Sequence, residues 1–103
     1  MENYCEWKDG CLLVRMPKEL DHHQAGLIRA EADLIIDTCR VQTLIFDFKR
    51  TEFMDSSGIG VIIGRSRKMG YQGGRVVAQN LNQRMEKIFA VSGLHKMIQK
   101  ENS

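Results

Sequence analysis

Apolar positions come in two rhythms along this chain. Cys11-Leu12-Leu13-Val14-Arg15-Met16, Thr43-Leu44-Ile45-Phe46-Asp47-Phe48 and Arg75-Val76-Val77-Ala78 are short, dense runs rich in β-branched and aromatic residues. That is the pattern of buried strands. Tyr4 to Trp7 adds a short strand, and Asp9-Gly10 between it and the first run predicts a hairpin. Pro17 ends the first run.

The other rhythm is helical. Asp21 is an N-cap, and Gln24 three residues later completes a capping box. Leu27, Glu31, Leu34, Ile35 and Thr38 follow at helical spacing, which predicts an apolar face from Leu27 to Ile35. A second helix begins at Ser56, with Ile59, Ile62, Ile63 and Met69 on one face, and Gly70 and Gly73-Gly74 break it. Leu81, Met85, Ile88 and Phe89 make a third amphipathic helix, capped by Gly93. His95 to Lys100 adds a last short edge strand around Met97 and Ile98. The order β-β-α-β-α-β-α, ending in β, predicts an α/β fold: a mixed four- to five-stranded sheet with about three helices, parallel except for the opening hairpin.

Composition narrows the picture. With 103 residues and 43% hydrophobic content the chain makes one packed domain, residues 1–103. A net charge of +2, with cations spread along the chain, argues against a nucleic-acid partner. Cys5, Cys11 and Cys39 are odd in number and lack CxxC spacing, so they read as reduced thiols and not as a zinc or disulfide framework. The N-terminus lacks the order of a signal peptide, and no apolar run approaches the roughly 20 residues of a membrane span. The expected location is the cytoplasm.

Candidate chemistry concentrates in Phe53-Met54-Asp55-Ser56-Ser57-Gly58-Ile59-Gly60-Val61-Ile62-Ile63-Gly64. Three readings of residues 55–60 stand side by side. In one, Asp55 or Ser56 caps the helix by accepting from its free N–H groups. In another, Gly58, Gly60 and Gly64 form a phosphate-binding turn, although the third glycine is one residue late for GxGxxG and a Walker lysine is missing. In the third, a serine is modified. A nucleophile elbow is not formed, because Met54 stands where GxSxG needs its first glycine. Phosphorylation needs only exposure, and it adds about −1.5 to −2 charges at a helix N-terminus whose dipole tolerates them. His22 and His23 are adjacent, so they point about 100° apart on a helix, and no ligand spacing completes a metal site. Arg65, Arg67 and Lys68 read as a solvated face of the second helix.

Glu19-Leu20-Asp21-His22-His23, Phe53 to Arg65 and Val91-Ser92-Gly93-Leu94, in this order and spacing, resemble the bacterial anti-sigma factor antagonists, which are single STAS domains. The Glu-Leu-Asp-His-His segment is most similar to the sporulation branch, the antagonists of the anti-sigma F factor. The resemblance implies partner switching by a protein that is not an enzyme and carries no cofactor. Its unphosphorylated form binds an anti-sigma factor that is also a serine kinase, which releases the sigma factor. Phosphorylation ends the binding, and a metal-dependent serine phosphatase resets it.

Carried onto this chain, the resemblance makes Ser56 the phosphorylated residue and Ser57 its less favoured neighbour. Glu19 and Asp21 resemble positions that face the partner, and Asp55, Ser57, Gly58 and Gly60 complete the expected partner surface, the glycines by allowing close backbone approach. The free protein is expected to be a monomer. Two departures stand out: Pro17-Lys18 precedes Glu19 where relatives often have Gly, and the sequence stops soon after Ile98, short of a final helix. Within the family, a stress-response antagonist is the alternative. Outside this function, the alternative is a small-ligand or nucleotide-binding STAS module.

Overall fold

The structure, a computed structural model, describes residues 3–101. Strand β1 (Cys5–Lys8) turns through Asp9 and Gly10, both at positive φ (51° and 80°), into β2 (Cys11–Arg15). Two consecutive positive φ values suit the twist of a two-residue hairpin, as the Asp-Gly pair predicted. A two-residue strand β3 (Glu19–Leu20) leads into helix α1 (His22–Thr38). There follow β4 (Thr43–Asp47), a second two-residue strand β5 (Phe53–Met54), helix α2 (Ser56–Tyr71), β6 (Arg75–Gln79), helix α3 (Gln83–Ser92) and β7 (Gln99–Glu101).

The main sheet has the order β1-β2-β4-β6-β7, antiparallel at the hairpin and parallel elsewhere. Its register stacks the core in rows: Leu12 beside Leu44 beside Val76, and Val14 beside Phe46 beside Ala78. Leu12, Val14, Leu44 and Phe46 are fully buried. Phe48 continues this core and meets Phe89 of α3 edge-on, with ring centroids 5.5 Å apart.

The predicted alternation of strands and helices is what the structure contains, with three local differences. Helix α1 buries Ala25, Ile28, Ala32 and Ile36, whereas Leu27 and Leu34 are exposed. Pattern reading weighted the large leucines, but the helix lies close to its neighbours on a face that includes two small alanines. Helix α2 runs through Gly70 to Tyr71, and Gly73, at φ 74°, comes after its end. At the C-terminus Leu94–Lys96 is a single 3-10 turn, Ile98 is buried, and the strand is shifted to Gln99–Glu101.

Strands β3 and β5 form a separate parallel pair, Glu19 beside Phe53 and Leu20 beside Met54. This pair escaped the sequence reading, since two residues are too few to show a period. It is extended by Asp55 N–H donating to Leu20 O at 3.3 Å. The clasp therefore ties the two residues that precede α1 to the two that precede α2. Among the described residues no helix is long and apolar enough to cross a membrane.

Candidate functional site

The clasp sets the N-termini of α1 and α2 side by side, and each is capped by an aspartate. Asp21 Oδ1 accepts from Gln24 N–H at 2.9 Å. The reciprocal half of the expected capping box is replaced: the Gln24 side-chain oxygen accepts from the Tyr4 hydroxyl. Asp55 Oδ1 accepts from both Ser57 N–H (2.9 Å) and Gly58 N–H (3.1 Å). Of the two capping candidates at this helix, Asp55 holds the position and Ser56 is the first helical residue.

The neighbouring serines have different surroundings. Ser56 is exposed, and its hydroxyl has no hydrogen-bond partner among the described residues. Ser57 is half-buried, and its Oγ lies 3.0 Å from His22 Nδ1 across the gap between the helices. Glu19 is exposed on β3 and Asp21 half-buried one residue before α1. The structure thus brings Glu19, Asp21, Asp55, Ser56 and Ser57 to one end of the molecule.

The glycines divide as well. A Cβ on Gly58 would meet Leu20 Cγ and Met54 Cγ at 2.8 Å, so this buried glycine lets α2 settle on the clasp. Its close approach is to its own core, not to the outside. Gly60 is exposed, and a Cβ there would meet nothing within 4 Å. It borders a groove of about 400 Å³ between α1 and α2, whose walls include His22, Gly26, Arg29, Ser57 and Arg65.

Arg65 departs from the solvated face read from sequence. Its side chain is only 11% exposed, and Nε lies 3.0 Å from Asp33 Oδ1 on α1. Burial pushes the guanidinium below its usual range, and Asp33 opposes that shift. The pair is close but not aligned for a hydrogen bond, and Nη1 is buried without a partner among the described residues. Lys68 bridges the same helices, 2.7 Å from Asp37 and 3.4 Å from Asp33. The hydrogen bond it donates to Asp37 is the chief cause of its raised pKa. Arg67 alone of the three is exposed. Helical spacing hid the arrangement because these partners lie on a different helix.

Three carboxylates, Glu19, Asp21 and Asp55, lie at this end. Two of the N–H groups that α2 offers an anion, those of Ser57 and Gly58, are already engaged by Asp55. A phosphate on Ser56 therefore meets a helix dipole in its favour and a neighbouring carboxylate against it. No group of three or more His, Cys, Asp or Glu side chains among the described residues has metal-site geometry.

A STAS domain model matches residues 5–103. The chain is 35% identical over 89 residues to the anti-sigma F factor antagonist of Paenibacillus polymyxa, covering 86% of this chain and 76% of that one. It is 39% identical over 83 residues to the anti-sigma F factor antagonist of Lysinibacillus sphaericus, covering 81% and 71%. Its fold superposes on the anti-sigma factor antagonist SpoIIAA in its unphosphorylated form with a TM-score of 0.81 and 32% identity, over 96% of this chain and 86% of that one. A capped serine turn at the start of α2, a mixed five-stranded sheet and this kinship over nearly the whole length agree, and the chain belongs to the STAS family as an anti-sigma factor antagonist.

Proposed function

We propose that this chain is the sporulation-type antagonist: unphosphorylated, it binds a kinase-type anti-sigma F factor and frees the sigma factor, and phosphorylation of Ser56 ends the binding. The observation that carries this reading is the contrast between the two serines. Ser56 is exposed on the first turn of α2, while the Ser57 hydroxyl is engaged by His22. A kinase approaching the end of the molecule meets Ser56 first. Identity of 35% and 39% to two antagonists of the F type supports the sporulation branch.

The remaining parts of the reading extend this contrast. Glu19 and Asp21 lie at the end that carries Ser56, where they pair with basic residues of the anti-sigma factor. Asp55, Ser57 and Gly60 frame the contact, and Gly58 contributes by letting α2 pack down. A phosphate on Ser56 adds negative charge beside Asp55 and at the same end as Glu19 and Asp21, so a basic partner surface packed tightly there loses its fit. The chain itself needs neither a cofactor nor catalysis. It acts in the cytoplasm as a monomer when free, and a metal-dependent serine phosphatase returns it to the binding form.

The test is a kinase reaction with the cognate anti-sigma factor and ATP. Ser56→Ala abolishes phosphate incorporation, and Ser56→Asp weakens binding to the anti-sigma factor. Undiminished incorporation into Ser56→Ala overturns the site, and full affinity of Ser56→Asp overturns the switch.

A second reading rests on the groove of about 400 Å³ bordered by Arg29 and Arg65, which has room for a small anionic ligand. Calorimetric titration of the wild type and Arg29→Ala with ATP and GTP separates it: nucleotide binding lost in the variant favours this reading.

A further inference from the structure

The cations that the sequence scatters are gathered by the fold. Lys18 follows β2, Lys49 and Arg50 lie between β4 and β5, and Arg84 and Lys87 lie on the first turns of α3. They surround two adjoining cavities of about 480 Å³ each, which share Glu52 and Asn82. Among the described residues Glu52 is the one carboxylate lining either of them, against five cations.

Three of the five charges in this cluster are not neutralised by a carboxylate among the described residues. The side-chain cations of Lys49, Arg84 and Lys87 have no ion-pair partner among the described residues, and Lys18 reaches Glu52 only at 3.9 Å with both side chains well exposed. Elsewhere the chain pairs many of its cations: Arg15 with Glu6, Lys68 with Asp37, Arg75 with Glu101 and Lys100 with Glu86.

The main chain of the cluster is also tied down by hydrogen bonds, some of them from side chains. Lys49 N–H donates to Asp47 Oδ1 at 3.0 Å, and Thr51 N–H to Phe48 O at 3.0 Å. Glu52 N–H donates to Lys18 O at 2.8 Å, which fixes one loop to the next. From the far side Asn82 Nδ2 donates to Thr51 O at 2.9 Å, and Arg84 Nη1 to Glu52 O at 3.0 Å. Cations on a turn pinned at both flanks lose little backbone freedom when a partner arrives.

We infer that the surface formed by Lys18, Lys49, Arg50, Arg84 and Lys87 docks an acidic protein segment. Charge complementarity selects the occupant, since a partner carrying several Asp or Glu side chains neutralises the Lys49, Arg84 and Lys87 side chains, which form no ion pair among the described residues. Continuity supports it: a neighbouring cavity is lined by both Lys18 and Arg50 and by Glu19 and Asp21. A partner seated over that cavity meets basic and acidic side chains at once, and opposite charge signs on its own surface fix its orientation. The inference does not depend on which serine is modified.

The experiment is an NMR titration of the isotope-labelled full chain with deca-glutamate, run in parallel with a twelve-residue oligothymidylate. The expected result is peptide-induced shifts concentrated at Lys18, residues 49–52, Arg84 and Lys87. The Lys49→Glu/Lys87→Glu double variant, with unchanged thermal stability, weakens peptide binding at least fivefold, and a rise from 50 to 300 mM salt weakens it similarly. Shifts spread evenly over the surface, or no shifts at millimolar peptide, overturn the proposal. Equal or tighter binding of the oligothymidylate at the same residues overturns the assignment to a protein partner.

Discussion

His22 Nδ1 lies 3.0 Å from Ser57 Oγ, joining the first turn of α1 to the first turn of α2. This contact, together with the partial burial of Ser57, distinguishes two serines that are adjacent in sequence. If it holds Ser57 away from the kinase, His22→Ala raises the share of phosphate on Ser57 several-fold while Ser56 stays the main site. Mass-spectrometric mapping of the product reads the ratio. An unchanged share in the variant removes His22 from the account of site choice.

Asp55 supports the start of α2 by accepting from two main-chain N–H groups. Asp55→Ala leaves both without this acceptor and lowers stability by about 1–2 kcal/mol. Asp55→Asn keeps an acceptor oxygen and loses less. Urea midpoints measure the series, and coincident curves for wild type and Asp55→Ala would refute the capping role.

Gly58 and Gly60 predict opposite signs for the same substitution. Gly58→Ala places a methyl 2.8 Å from Leu20 Cγ and Met54 Cγ, and overpacking of that kind costs about 1–3 kcal/mol. Gly60→Ala meets nothing within 4 Å and lies inside a helix, so it stabilises by about 0.5–1 kcal/mol. Thermal unfolding of the two variants side by side shows whether the signs differ.

The titration of the Cys5 thiol is strongly moved. Burial pushes it up from 9.0 to about 12, and the nearby Glu31 carboxylate, which accepts from Cys5 N–H at 3.1 Å, adds to the shift. Between pH 9.0 and about 12 the unfolded thiol has given up its proton while the folded one keeps it, so this contribution to stability falls as pH rises. Partial burial trims its size by solvent screening. Comparing the alkaline unfolding limbs of wild type and Cys5→Ala isolates it: the variant falls less steeply. At pH 8, iodoacetamide labels Cys5 more slowly in the folded protein than in urea.

The large elements were legible because their cues were local and strong. Runs such as Leu44-Ile45-Phe46, the Asp9-Gly10 turn, the capping aspartates and the left-handed Gly93 at φ 81° each act within a few residues. What sequence did not show was set by tertiary neighbours. Leu27 and Leu34 match a helical face but are exposed, since α1 packs through Ala25 and Ala32. Arg65 reads as solvated on its own helix, and only the fold puts Asp33 of the other helix beside it. The Asp-Ser-Ser motif is plain in the sequence, whereas the inequality of Ser56 and Ser57 depends on His22, 35 positions away from Ser57. The basic cluster was invisible for the same reason, being assembled from three separate segments.

The pairing of Leu20 with Met54 and of Glu19 with Phe53 makes the floor beneath Ser56 stiff. A phosphate there is received by a platform already fastened to the neighbouring helix, so little of the chain has to rearrange. Under the proposed switch, the message would pass as a change of voltage on an unmoving face, read by a partner without the antagonist refolding.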